Sequence, residues 1–401
     1  MHLKTHIQIA LGYFLIIALL GVVLRLYQVV DVPVTYRFIV HTHSHVALLG
    51  WVYTALTTLL YYCFLQKEPI EKKYRVIFWV TQLTIVGMMV SFPFTGYAFF
   101  SILFSTLFLL ASYWFCYFFL KNVPASKKQL PSFKLIRISL WYLIISSIGP
   151  WALGAIMTTL GSSSPWYRNA IYFFLHFQYN GWFIVAICGI FFVILERYHF
   201  TFSRKAFSKF FFLLNAGVLL TFFLSVLWMN PHPVFYLLAV LGGVFQLTAF
   251  GMLFLRLFKE RALLKHSLSP AVLFLLATSG VFLTVKLAAQ CLGAFPLFAQ
   301  RISSNIDLLI SYIHWVFLGV VSIAILAFLK QFQLLRLSGF TYILYLIGFL
   351  LTEMLMFYKG VLVWTNGRLF SSYHSLLSAA SLLLLIAIAI LFLKQFTKKA
   401  T

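Results

Sequence analysis

Eleven histidines are the residues of this chain best suited to chemistry. Neutral imidazole is the commonest protein ligand for iron and copper. Their placement is uneven. His41, His43 and His45 alternate at the head of one apolar run, His176 and His374 open two others, His314 lies inside a fourth, and His232 sits in a short connection. His2, His6, His199 and His266 fall among basic loop residues and are read as loop residues only. On a helix, His41 and His45 share a face at i, i+4 while His43 points elsewhere, so the three do not serve one site together. Taken singly, His374 and His232 also read as interfacial polar residues bonded to a loop. Two charged residues interrupt apolar runs, Lys286 and Glu353. At matching depth they are expected to pair, which lowers the cost of both, with Glu353 as a proton relay or ligand anchor. The other reading of Lys286 is an aliphatic stem lying along lipid with its amine at the interface. Gln178, Tyr179 and Asn180 follow His176 and add groups able to orient an imidazole or a water.

The elements that must position these groups follow from composition. Of 401 residues, 63% are hydrophobic and only 9% charged, with mean hydropathy +0.98. Water-soluble domains carry roughly a quarter charged residues. Lipid is therefore the expected solvent for most of the surface. Backbone in hydrocarbon must satisfy its own hydrogen bonds, so the apolar runs are expected to be helices: 7–29, 39–65, 76–96, 98–120, 138–160, 171–195, 210–229, 234–257, 271–294, 306–329, 340–358 and 371–393. The predicted fold is an all-α bundle of about twelve transmembrane helices in a single integral membrane domain over 1–401, with no soluble domain or long linker. The first run is long for a signal sequence and lacks a clear cleavage site, so it is read as a retained span. Cys63, Cys116, Cys188 and Cys291 all fall in apolar runs without C-x-x-C spacing, which suggests neither disulfides nor a zinc site.

The formal charge of +23 does not signal nucleic-acid binding, because the cations sit in short connections. With the N-terminus inside, alternate segments hold 1, 4, 5, 4, 4, 2 and 3 Lys and Arg, 23 in all. The opposite loops hold only Arg25, Arg37, Arg168, Arg301, Lys359 and Arg368. That unbroken alternation is the positive-inside pattern. It predicts both termini in the cytoplasm of an inner-membrane protein. The other seven histidines then gather in the outer loops or the outer third of the bilayer. Helices facing one another at one depth are a usual place for a metal or heme site.

Three of the runs share a local pattern. H-V-A-L-L-G-W (His45–Trp51), H-F-Q-Y-N-G-W (His176–Trp182) and H-W-V-F-L-G-V (His314–Val320) each read H-x4-G before a large residue, four spans apart. Gly50, Gly181 and Gly319 are expected to let a neighbour approach closely. The echo suggests three arcs of four helices.

The segment V-H-T-H-S-H-V-A-L-L-G-W (Val40–Trp51) resembles the histidine segments of heme-copper oxidase subunit I and its nitric-oxide-reductase and NnrS-like relatives. That family has twelve core spans in three four-helix arcs, with histidine ligands on spans 2, 6, 7 and 10. The resemblance implies heme, with His45 (or His43) and His314 as axial ligands. It implies a copper ligand in His176, and propionate partners in Arg37, Arg301 and Arg368. His41, His43, His45, His176, His314 and His374 make up the wider candidate metal set. Two departures bear on function. Tyr312 stands where the family has the first histidine of an H-x-H pair, and 210–229 carries no histidine. A full copper site has no direct match. A bis-histidine heme, or a single metal site handling a diatomic gas, fits the residues better than oxygen reduction.

The reading is therefore a membrane heme-binding protein, with copper as a second candidate metal, in electron transfer or gas handling, partnered by lipid and by an electron donor or other respiratory subunits. A transporter using the polar outer layer and a non-catalytic assembly factor for respiratory complexes are the alternatives. The chain shows no Walker loop, dinucleotide fingerprint or nucleophile elbow.

Overall fold

A computed structural model describes residues 3–66, 69–200 and 202–397. His2, Lys67, Lys398 and Lys399, used above, lie outside the described residues. Among the described residues, twelve helices are long and apolar enough to cross a membrane. They are α1 (Leu3–Leu26), α2 (Tyr36–Leu65), α3 (Glu71–Thr95), α4 (Phe99–Asn122), α5 (Pro131–Thr159), α6 (Pro165–Arg197), α7 (Arg204–Met229), α8 (Pro233–Lys259), α9 (Pro270–Leu292), α10 (Ile306–Gln331), α11 (Gly339–Thr365) and α12 (Tyr373–Leu393). They match the expected spans one for one, and the protein is a multi-pass helical membrane protein.

Several helices start before their apolar runs. α3, α5 and α7 begin at Glu71, Pro131 and Arg204, where the runs begin at 76, 138 and 210. Charged side chains remain good helix formers, and their heads reach water while the helix continues. For the same reason Arg37 and Arg168, expected in loops, lie in the first turns of α2 and α6, Arg25 lies in the last turn of α1, and Lys359 lies within α11, more than one turn before its end. His6 is a further correction. It is a buried residue of α1, stacked on Phe78 with centroids 3.7 Å apart, not a loop histidine.

Helix starts are written locally. Ser164, Ser203, Ser269, Asn305 and Ser338 each accept a hydrogen bond from a backbone N–H of the first turn of α6, α7, α9, α10 and α11. That capping satisfies a donor the helix cannot. Within α5 the helix breaks at Ser147 between Pro131–Ser146 and Ile148–Thr159, because Pro150 has no N–H to offer the Ser146 carbonyl.

The chain divides into two compact units, residues 1–124 with 325–401 and residues 125–324. The dividing point falls inside α10. The four-span echo reappears in the packing within each unit. α1 packs on α2 with Tyr13 against Gly50, where a Cβ would stand 2.9 Å from the ring. α5 packs on α6 with Tyr142 against Gly181, where a Cβ would stand 2.7 Å away. α9 packs on α10, with Ser279 Oγ donating to the Val320 carbonyl at 2.9 Å. The pairs α3–α4, α7–α8 and α11–α12 complete the repeat.

The three echo helices also share a backbone device. Each is α-helical up to its histidine, then turns π-helical: Val46–Tyr53 after His45, Phe177–Phe183 after His176 and Trp315–Ser322 after His314. π-Segments are rare and frequent at functional sites. The most apolar 18-residue stretches of these helices are also the most enclosed, with 94, 83 and 72% of their residues buried against 33–44% in the other nine. The H-x4-G pattern thus marks one structural position repeated three times.

Candidate functional site

In the first unit the site centres on the head of α2. His41 and His45 lie on one face, as their spacing predicts, and His43 on another, where its ring rests against Gly21 of α1. The shared face meets α3 and the turn after it. His45 lies 4.4 Å from Phe92, and His41 lies 4.6 Å from Tyr97, centroid to centroid. Tyr97 owes its place to Gly96, whose φ of +58° few L side chains adopt. Ser101 holds that turn, its hydroxyl donating to the Gly96 carbonyl at 2.6 Å while it accepts from Ala98 N–H at 2.9 Å.

The hydrogen bonds fix the His45 tautomer. Nδ1 stands 2.9 Å from the His41 carbonyl. A carbonyl only accepts, so Nδ1 carries the proton. Nε2 is left with its lone pair toward the Tyr97 hydroxyl, 3.4 Å away. An imidazole whose far nitrogen donates to a backbone carbonyl is oriented as a metal-binding histidine usually is, and 3.4 Å is long for an O–H···N bond. Tyr97, the group facing that nitrogen, is itself 46% exposed.

His176 is in a different state. Its Nε2–H donates to the Val218 carbonyl at 2.8 Å, and its Nδ1 accepts from Asn180 Nδ2 at 3.2 Å. Both nitrogens are spent within the protein, so His176 does not fit the copper-ligand role the resemblance implies. Among the described residues, no three His, Cys, Asp or Glu side chains are grouped to hold a metal ion. The candidate set of His41, His43, His45, His176, His314 and His374 is therefore not gathered into such a group. Two physical reasons are visible: His43 faces away from its neighbours, and His176 is consumed by hydrogen bonds. His232, exposed, caps α8 by accepting from Val234 N–H at 3.4 Å. His374 and His314 are partly buried.

His176 belongs to the main polar feature of the second unit, which is centred on Lys286. That side chain is 1% exposed and does not reach a surface. Nζ donates to Asn180 Oδ1 at 2.5 Å and to Gln290 Oε1. The expected carboxylate partner is replaced by these two amides, and Glu353, itself buried, belongs to the other unit. From Lys286 two arms run outward. One passes through Asn180 and His176 to the Val218 carbonyl. The other passes from Gln290 to Gln246 (3.3 Å), to Thr221 (3.1 Å) and to the Gly217 carbonyl (2.7 Å). The Tyr312 hydroxyl also donates to Gln290 Oε1, at 3.4 Å. Every bond along the arms points away from Lys286, and both end on adjacent carbonyls of α7. The ring ties α6, α7, α8 and α9. A lysine stripped of water without a carboxylate is costly unless its hydrogen bonds are met, and the amides meet two of them.

Of the expected propionate partners, Arg37, Arg301 and Arg368 are all exposed, on α2, on the short helix Pro296–Ser303 and in the connection after α11. The braced arginine is one the sequence did not single out. Arg168 donates to the Ser303 carbonyl at 2.9 Å and to Tyr172 at 2.8 Å, and stacks over Trp228. Gln246, Gln290 and Thr221 were also missed, although an amide inside an apolar run is a visible signal. Tyr97 carried no signal, because only the turn geometry brings it to His45. No model of a known protein family matches the chain, and no curated protein matches it.

Proposed function

We propose that this is a multi-pass protein of the cell's inner (plasma) membrane, termini in the cytoplasm, that binds heme through His45 and serves electron transfer or diatomic-gas handling. The observation that supports this best is the state of His45. Its tautomer is set by a backbone carbonyl, its Nε2 lone pair is uncommitted except to Tyr97, and it stands at the start of a π-segment. His314 occupies the equivalent position before its own π-segment, in the other unit. Exposed Arg37 and Arg368, in the same unit as His45, are the groups for the propionates. Bound heme supplies reversible one-electron chemistry and an iron site tuned by burial and by hydrogen bonds to its ligands. The protein's part is to orient the imidazole and shield it with Phe92. An electron donor or another respiratory subunit is the partner this chemistry requires. His176 leaves no role for copper in this reading.

The experiment is an absorption spectrum with metal analysis on the full-length protein purified in detergent after growth with heme precursor. A Soret band is expected, lost in His45→Ala but kept in His176→Ala, with circular dichroism showing each variant folded. Absence of the band in heme-replete protein, or an unaltered band in His45→Ala, overturns the reading.

The Lys286 ring favours a second reading, a transporter whose ion or proton site is that polar layer. It predicts ion or proton flux in liposomes that is abolished by Lys286→Met, with no bound chromophore.

A further inference from the structure

At the ends of α7 and α8 remote from the Lys286 ring lies a groove of about 410 Å³. It is formed by the start of α7 and the last turns of α8. Its floor is apolar, with Phe202, Phe210, Met252 and Leu253, and its rim carries Arg256 and Lys259. We propose that this groove binds an anionic phospholipid, one acyl chain along the floor and the phosphate against Arg256 and Lys259.

Three observations carry this. The first is the two-part lining, because an apolar floor with a cationic rim at the end of two membrane-spanning helices suits a ligand with a hydrocarbon chain and a charged head. The second is charge. Segments 196–209 and 256–265 hold eight Lys and Arg against two carboxylates, Glu196 and Glu260, a local excess of +6. The third is how little of that charge the protein neutralises. Glu196 is committed to Ser132, accepting from its N–H at 2.9 Å and its hydroxyl at 2.6 Å. Glu260 reaches only Arg256, at 3.1 Å, and that pair is open to solvent. Lys259 is exposed beside it. Ser203, also on the rim, is used up in capping α7, its oxygen accepting from Ala206 N–H at 3.2 Å. The rim therefore sets exposed Lys259, and Arg256 whose one carboxylate partner is open to solvent, above an apolar slot, and a zwitterionic head brings no net charge to meet them. The proposal is independent of the heme reading, since no histidine takes part.

The test is native mass spectrometry of the full chain in detergent, titrated with phosphatidylglycerol or phosphatidylcholine of matched chains. Phosphatidylglycerol is expected to bind about tenfold more tightly at low salt, the advantage shrinking as salt rises. Replacing both Arg256 and Lys259 by Ala is expected to weaken phosphatidylglycerol binding about thirty-fold, the factor for two interfacial cations. Glu260→Gln, which frees Arg256, is expected to strengthen it. Removing an equal charge elsewhere, with Lys127→Ala and Lys128→Ala together, is expected to change nothing. Ala206→Trp, filling the groove, is expected to block both lipids while the surface charge variants keep their fold by circular dichroism. Equal binding of the two lipids, wild-type affinity in the Arg256/Lys259 variant, an equal loss in the Lys127/Lys128 variant, or displacement by millimolar inorganic phosphate overturns the proposal.

Discussion

Asn180→Leu is the sharpest test of the Lys286 ring. Asn180 is the one residue that serves both Lys286, at 2.5 Å, and His176, at 3.2 Å. Leucine has the same branched four-heavy-atom side chain, with bulkier methyls and neither amide atom. The substitution leaves the lysine with Gln290 alone and strips the His176 Nδ1 acceptor of its donor. A buried group left unsatisfied costs about 1–3 kcal/mol. Hydrogen bonds between membrane helices are worth about 0.6–2 kcal/mol each, because the reference state also finds partners. Two losses place the expected destabilisation at about 2–4 kcal/mol. The assay is reversible unfolding from mixed micelles, followed by far-ultraviolet circular dichroism. A double-mutant cycle with Lys286→Met sharpens it. With the lysine gone, Asn180→Leu orphans only His176, so the two substitutions are expected to be non-additive by about 1 kcal/mol or more. Asn180→Asp keeps an acceptor for the lysine and is expected to cost less than Leu. A loss below about 0.5 kcal/mol for Asn180→Leu, or strict additivity with Lys286→Met, refutes the claim that the amide holds the buried amine.

Two more outcomes follow from the packing and the charge pattern. A Cβ at residue 181 would stand 2.7 Å from Tyr142, so Gly181→Ala is expected to cost about 1–3 kcal/mol in the same unfolding assay, with Tyr142→Ala relieving part of the loss. Reporter fusions are expected to place residue 401 and the connection after α4 on the cytoplasmic side and the connection after α11 outside, and a reporter active on the opposite face at any of these points refutes the orientation.

How far the sequence could reach depends on what kind of information each feature needs. Helix number and approximate position depend on stretches of apolar residues read one after another, and the twelve expected spans are the twelve long helices observed. The division of His41 and His45 from His43 was equally legible, since helical geometry alone turns those residues to different sides. The H-x4-G echo marked positions that share a π-segment, though nothing in that pattern foretells a change of backbone there. The partner of Lys286 was misread. Depth along a helix follows from residue number, but the choice of partner depends on how each helix is rotated about its axis and which helix stands beside it.

Local sequence thus determined that this chain is built from lipid-spanning helices and which residues lie near their ends, because hydropathy and helical periodicity are properties of neighbours along the chain. Tertiary structure alone decided that the His176 imidazole donates to a carbonyl of α7, that Lys286 of α9 reaches the Asn180 amide of α6, and that Tyr97 stands over His45. Each of those contacts joins residues on different helices, or across a turn set by one glycine. Their meeting is fixed by side-chain packing between helices, which no pattern within a single helix encodes.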